Sequence, residues 1–106
     1  MIVCTTENIP GYRVTKVLGE TFGLTVRSRG LGGNLAAGFR GVFGGEVKAY
    51  VKLLEDTRRQ AVDRLVQSAQ AAGANAVVMM RFDSSEIGQT MSEVVAYGTA
   101  VVVEPA

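Results

Sequence analysis

Histidine is absent from this 106-residue sequence, and cysteine occurs once, as Cys4. The first absence removes the commonest general acid–base and the commonest metal ligand. The second excludes an internal disulfide and any Cys-x-x-Cys site. Long apolar runs are missing too. The longest spans about ten residues near the C-terminus, against the ~20 a membrane-spanning helix needs. Residues 1–10 have no basic start followed by an apolar stretch, so no signal peptide is expected. Charge of one sign is also lacking. The net charge of +1 supplies no overall pull toward nucleic acid or an anionic membrane. These features predict one soluble, cytoplasmic domain over 1–106, with a modest core.

What is present divides into four pieces. In 12–28, Tyr12, Val14, Leu18, Phe22, Leu24 and Val26 share one parity, which predicts a strand. Gly19 and Gly23 predict a bend or bulge midway. Residues 29–45 contain seven glycines, an unusual loop for a small domain and one expected to be functional or ordered by a partner. Within it Leu35, Phe39, Val42 and Phe43 fall at helical spacing.

Residues 46–72 read as a long helix. Val47, Tyr50, Val51, Leu54, Ala61, Val62, Leu65, Ala69 and Ala72 form its apolar stripe. Lys52–Asp56 and Glu55–Arg59 are pairs four residues apart on the solvated side. Gly73 is the expected left-handed stop.

The remainder reads as a hairpin of strands 75–82 and 94–103, joined by turn residues from Asp83 to Ser92 around Gly88. Ala76, Val78, Met80 and Phe82 are expected on one face, and Val77, Met79 and Arg81 on the other. Consecutive Met79 and Met80 would then diverge, which favours core packing over a shared metal site. The order predicts an α/β two-layer sandwich (α+β), one long helix on a small antiparallel sheet. Both hairpin strands are apolar on both faces, whereas an antiparallel sheet with one wet face alternates. One helix covers one face, so a neighbouring subunit is expected on the other.

The chain resembles the YbjQ-like family of small, uncharacterised bacterial proteins that carry a heavy-metal-binding label. The likeness spans nearly the whole length. It rests on Thr5-Thr6, Leu18-Gly19-Glu20, Gly44-Gly45-Glu46 with Tyr50 and Leu53-Leu54, Gly73-Ala74-Asn75-Ala76-Val77, Arg81-Phe82-Asp83, and Glu93 before Ala96-Tyr97-Gly98-Thr99-Ala100-Val101. The resemblance implies a fold similar to a dodecin subunit and assembly into a homopentameric ring. It implies no reaction or substrate.

Three kinds of site are candidates. Soft metals want several sulfur ligands. Cys4 is the only thiol and Met1, Met79, Met80 and Met91 the only thioethers, so metal binding would centre on Cys4 and no cofactor is expected. Catalysis would fall to Arg81 and Asp83, two apart on one strand, or to Glu86 and Glu93 flanking the turn. Without histidine these are expected to be ion pairs at a strand end and the protein to be no enzyme. Arg27, Arg29 and Arg40 bracket the glycine-rich loop and could bind a small anion. That loop lacks the Gly-Lys-Ser/Thr of a P-loop and the dinucleotide fingerprint. Leu31, Leu35, Phe39, Val42, Phe43 and Gly98 are the expected subunit contacts.

Overall fold

The computed structural model describes residues 1–28, 47–88 and 91–106. The elements are β1 (Ile2–Val3), β2 (Tyr12–Ser28), α1 (Val47–Ala71), β3 (Ala76–Ile87) and β4 (Met91–Pro105). They form a two-layer α+β sandwich, with α1 packed on one face of a four-stranded sheet ordered β1-β3-β4-β2. The sheet is mixed rather than wholly antiparallel, because β1 pairs parallel to β3 through Ile2↔Ala76 and Val3↔Val77. Two residues are too few for periodicity to reveal, so this edge strand is not visible in the sequence pattern.

Helix α1 ends as the sequence predicts. Gly73 takes φ +94°, its amide bonds the Gln70 carbonyl at 3.0 Å, and the Ala74 amide bonds the Ala69 carbonyl at 3.0 Å. This is the paired bonding of a Schellman motif. The apolar contact that accompanies it is Ala74 on Ala69, both buried in the core.

The helix-side core is built from small residues. Ala61, Leu65 and Ala69 of α1 meet Val77, Ala96 and Ala100 of the sheet, with Leu18, Met80, Phe82 and Val94 packed around them. On β2 the residues beneath the helix are Thr21, Gly23 and Thr25. A Cβ on Gly23 would overlap the Ala61 carbonyl oxygen and the Leu65 amide nitrogen. Glycine therefore sets how closely α1 lies on β2.

That close approach corrects the expected stripe. Phe22, Leu24 and Val26 alternate with the small residues and lie on the face away from α1. The two one-residue register shifts, between Val14 and Lys16 and between Val17 and Gly19, cancel in parity. Tyr12 and Val14 thus keep the same face as Phe22, while Leu18 turns into the helix-side core. The helix stripe is corrected as well. Thr57, Ala61, Leu65 and Ala69 are buried, whereas Val51 and Leu54 are exposed. Lys52–Asp56 pairs at 3.5 Å; Glu55–Arg59 is not among the ion pairs of the described residues.

The hairpin strands run further than expected, and residues 83–87 and 91–92 pair rather than turn. These positions are mostly exposed, where polar side chains cost a strand little. A register shift between Val78 and Arg81 also breaks the expected alternation, because the extra residue reverses the facing of every residue after it. Val77 therefore joins Met80 and Phe82 beside the helix, and Arg81 falls on the face of Ala76 and Val78. Met79, at the shift, has φ +57°, rare for a side chain with a Cβ.

Candidate functional site

The bulge at Met79 is held by the start of the chain. The Cys4 amide donates to the Val77 carbonyl at 2.9 Å, the Met80 amide to the Cys4 carbonyl at 3.0 Å, and the Met79 amide to the Thr6 carbonyl at 3.1 Å. Arg81 closes the clamp by donating from Nη1 to the Thr5 carbonyl at 2.7 Å and to the Met80 carbonyl at 2.9 Å. Three backbone bonds and a charged donor offset the strain of a left-handed methionine. Beyond this clamp, Ile2, Cys4 and Ile9 pack on Ala76, Val78, Val101 and Val103. The N-terminal segment thus covers one end of the sheet face opposite α1, where the sequence suggested a neighbouring subunit.

Cys4 is half-buried in that layer, and its thiol donates to the Thr6 carbonyl at 3.3 Å. Met80 packs into the core on the other side of the sheet, and Met79 is exposed. The structure therefore gathers no sulfur cluster around Cys4 among these residues. Among the described residues no three of His, Cys, Asp and Glu lie together as a metal ligand set.

Arg27 bonds Gln60 Oε1 through Nη2 at 2.9 Å, tying the end of β2 to α1. Its Nε is buried without a partner among the described residues, as is the hydroxyl of Thr25. Arg29 and Arg40, its expected companions in an anion site, lie outside the described residues. So do Leu31, Leu35, Phe39, Val42 and Phe43. Gly98 lies opposite the Met79 bulge. A Cβ there would stand 2.9 Å from Val77 Cγ1, 3.0 Å from the Val78 oxygen and 3.3 Å from Met80 Cα. The close approach inferred at Gly98 is thus made within the sheet, to the bulged strand.

The expected Arg81–Asp83 pair is not among the ion pairs of the described residues. Arg81 is committed to the N-terminal carbonyls, and Asp83 accepts from the Ser84 amide at 2.8 Å. Glu93 accepts from the Ser85 hydroxyl at 3.3 Å. These contacts arrange no nucleophile, base and orienting group in series.

Two surfaces emerge that the residue-by-residue reading missed. The first is the sheet face beyond the N-terminal cover. Phe22 is 58% exposed, Leu24 39%, Val26 45% and Tyr97 45%. Phe22 and Tyr97 are direct cross-strand partners, as are Leu24 and Val95. The second is a cleft of about 740 Å³ between the N-terminal half of α1 and the hairpin. Val51, Leu54, Phe82 and Val94 line it, with Glu55 and Arg58 among the polar residues. The Arg58 guanidinium stands 5.1 Å over the Phe82 ring, within cation–π range. The alternation of Thr21, Gly23 and Thr25 with Phe22, Leu24 and Val26 was the available signal. Small residues at alternate positions mark the side a helix approaches closely.

Comparison with known proteins adds the family. A family model described as "Putative heavy-metal-binding" (YbjQ) matches residues 1–104. A UPF0145 protein of Bradyrhizobium sp. (strain ORS 278) is 63% identical over 106 residues, covering 100% of this chain and 96% of the relative. A UPF0145 protein of Picrophilus torridus is 61% identical over 105 residues, covering 99% of this chain and 89% of the relative. Among solved structures, a protein of unknown function of the DUF74 family from Pediococcus pentosaceus superposes with a TM-score of 0.64 at 12% identity. That superposition covers 98% of each chain and shows the shared fold. With its match running from the N-terminal clamp almost to the end of β4, the chain belongs to the YbjQ, or UPF0145, family.

Proposed function

We propose that this protein is a non-enzymatic self-assembly module, and that its working form is a cytoplasmic homo-oligomeric ring. The observation that carries this reading is the row Phe22, Leu24, Val26 and Tyr97, which is large, apolar, contiguous and uncovered among the described residues. Burying a leucine or phenylalanine is worth roughly 1.5–3 kcal/mol relative to exposure. These four side chains are about half exposed, so leaving them in water forfeits roughly half that figure each, ~3–6 kcal/mol in all, a substantial share of the ~5–15 kcal/mol stability of a small domain. A second copy is the occupant always present in proportion. The resemblance to the YbjQ-like family makes five copies the expected count.

Sedimentation velocity and native mass spectrometry at micromolar concentration test this reading together. The expected result is a single oligomeric species whose mass is an integer multiple of 11.2 kDa. A well-folded monomer would remove the proposal.

A further inference from the structure

We infer that the open edge of β3, from Phe82 to Ile87, is a docking site for an extended, basic peptide segment of a partner protein, which adds to the sheet as a further strand. This goes beyond the self-assembly reading and does not rest on it. The edge is separated by β4 from the Phe22–Leu24–Val26 row on β2, so the two surfaces are distinct.

A sheet edge presents backbone N–H and C=O groups that a further strand can pair with. At the β2 edge, Arg64 of α1 donates from Nη1 to the Leu24 carbonyl, so a side chain already claims part of it. At the β3 edge, the start of the chain shows that a strand fits. Ile2 and Val3 pair with Ala76 and Val77, and the bonds of Cys4 and Thr6 carry the contact on to Met80. Beyond Met80, no backbone group of the described residues pairs with β3 on that side. Strand β3 nonetheless continues to Ile87 against β4, and Asp83 to Ile87 are exposed. Residues 82–87 span ~20 Å, the length of an ordinary strand.

Charge decides the kind of partner. A strand on this edge sends its side chains alternately to the two faces of the sheet. On the helix side, the face of Phe82, it meets Ser84 and Glu86; on the far side it meets Asp83 and Ser85. Glu93, the cross-strand partner of Ser85, and Glu55, on the cleft wall, stand behind them. Of the five charged residues that border the cleft, Arg58 alone is basic, and it lies over the Phe82 ring. Both faces along the edge thus carry negative charge, which opposes an acidic strand and favours lysine or arginine at cross-strand positions. Among the described residues no three carboxylates lie together as a metal ligand set. The charge is spread along the edge, which suits a partner whose own charges repeat along its length.

Fluorescence anisotropy with labelled synthetic peptides tests the site on the full chain. The probe is a short peptide alternating lysine and valine. One control replaces its lysines with glutamate. A second keeps the lysines and N-methylates the backbone amides, which retains the charge and removes strand pairing. The probe is expected to bind at least about tenfold more tightly than either control, because main-chain bonds supply the affinity and side chains the selectivity. Asp83→Asn combined with Glu86→Gln is expected to weaken binding about fivefold. That variant is expected to keep the parent melting temperature, since asparagine still accepts from the Ser84 amide as Asp83 does. Hydrogen exchange at amides of 82–87 is expected to slow when the probe is added. No binding, equal binding of the N-methylated control, or a double variant that binds like the parent would each overturn the proposal. So would finding every amide from Phe82 to Ile87 protected before any peptide is added, because another segment of the chain or a second copy would then hold the edge.

Discussion

The sheet face opposite α1 has two ends that differ in one respect. At the end near the start of the chain, Ala76, Val78, Val101 and Val103 are buried beneath Ile2, Cys4 and Ile9. At the other end Phe22, Leu24, Val26 and Tyr97 are open. Both ends are apolar, so hydrophobicity alone does not distinguish them. Reach does. The N-terminal segment is anchored to β3 by β1 and by the bonds from Cys4 and Thr6, and Tyr12 already begins β2. About ten residues cannot roof strands of 12 to 17 residues, each residue of which adds ~3.3 Å. An apolar face too long for its own cover is the physical basis for expecting a second copy.

The helix side works differently, since its tightness comes from small residues. The largest expected effect is therefore Gly23→Val. The new side chain would meet helix backbone, which has no flexible end to yield. A loss of more than about 3 kcal/mol is expected, at the upper limit for overpacking. Thermal unfolding that leaves the melting temperature unchanged would show that α1 does not lie as close as described.

Asn75→Ala comes next and bears on the covered end. Asn75 Nδ2 donates to the Val103 carbonyl at 2.9 Å, and its Oδ1 accepts from the Val103 amide at 2.8 Å. Both bonds hold the helix-to-sheet turn against β4. Their loss is expected to cost roughly 2 kcal/mol, read from denaturant midpoints with an unchanged slope.

Gly98→Val is expected to cost somewhat more than ~1 kcal/mol. One of its close neighbours is the movable Val77 side chain, and the others are backbone atoms of the bulged strand. Calorimetry on variant and parent would measure it.

Leu24→Ser sharpens the contrast between the two ends. Leu24 is 39% exposed, so the change should alter the stability of an isolated chain by under ~1 kcal/mol while weakening assembly. Sedimentation read beside chemical denaturation separates the two quantities. The smallest effect is expected from Cys4→Ser. With one thiol and no ligand cluster among the described residues, zinc content by elemental analysis is expected to stay far below one per chain in parent and variant alike. Near-stoichiometric zinc or copper lost on substitution would show that assembly brings Cys4 copies together.

Much of this architecture can be read from the residues directly. The period of 25 residues of helix, the left-handed stop at Gly73 and the alternating strands are local properties, written in spacing and in the φ that glycine permits. The two-sided apolar strands are legible for the same reason. The candidate site was less so. Arg81 and Asp83 sit where a pair could form, yet carbonyls of Thr5 and Met80 claim the arginine, and those carbonyls come from a distant segment and a bulge.

Sequence by itself thus determined the helix, the central parts of the three long strands, where the helix ends, and that one helix would not suffice for the apolar surface present. Only the tertiary structure decided which face each apolar residue occupies. Parity holds along a strand until a single inserted residue reverses it, and β2 carries two such shifts and β3 one. Those shifts depend on partners far away in the chain: Cys4 and Thr6 for the bulge at Met79, and β4 for the bends in β2. Tertiary packing likewise chose Gly23 over Phe22 to meet the helix, because van der Waals contact between backbones leaves no room for a ring.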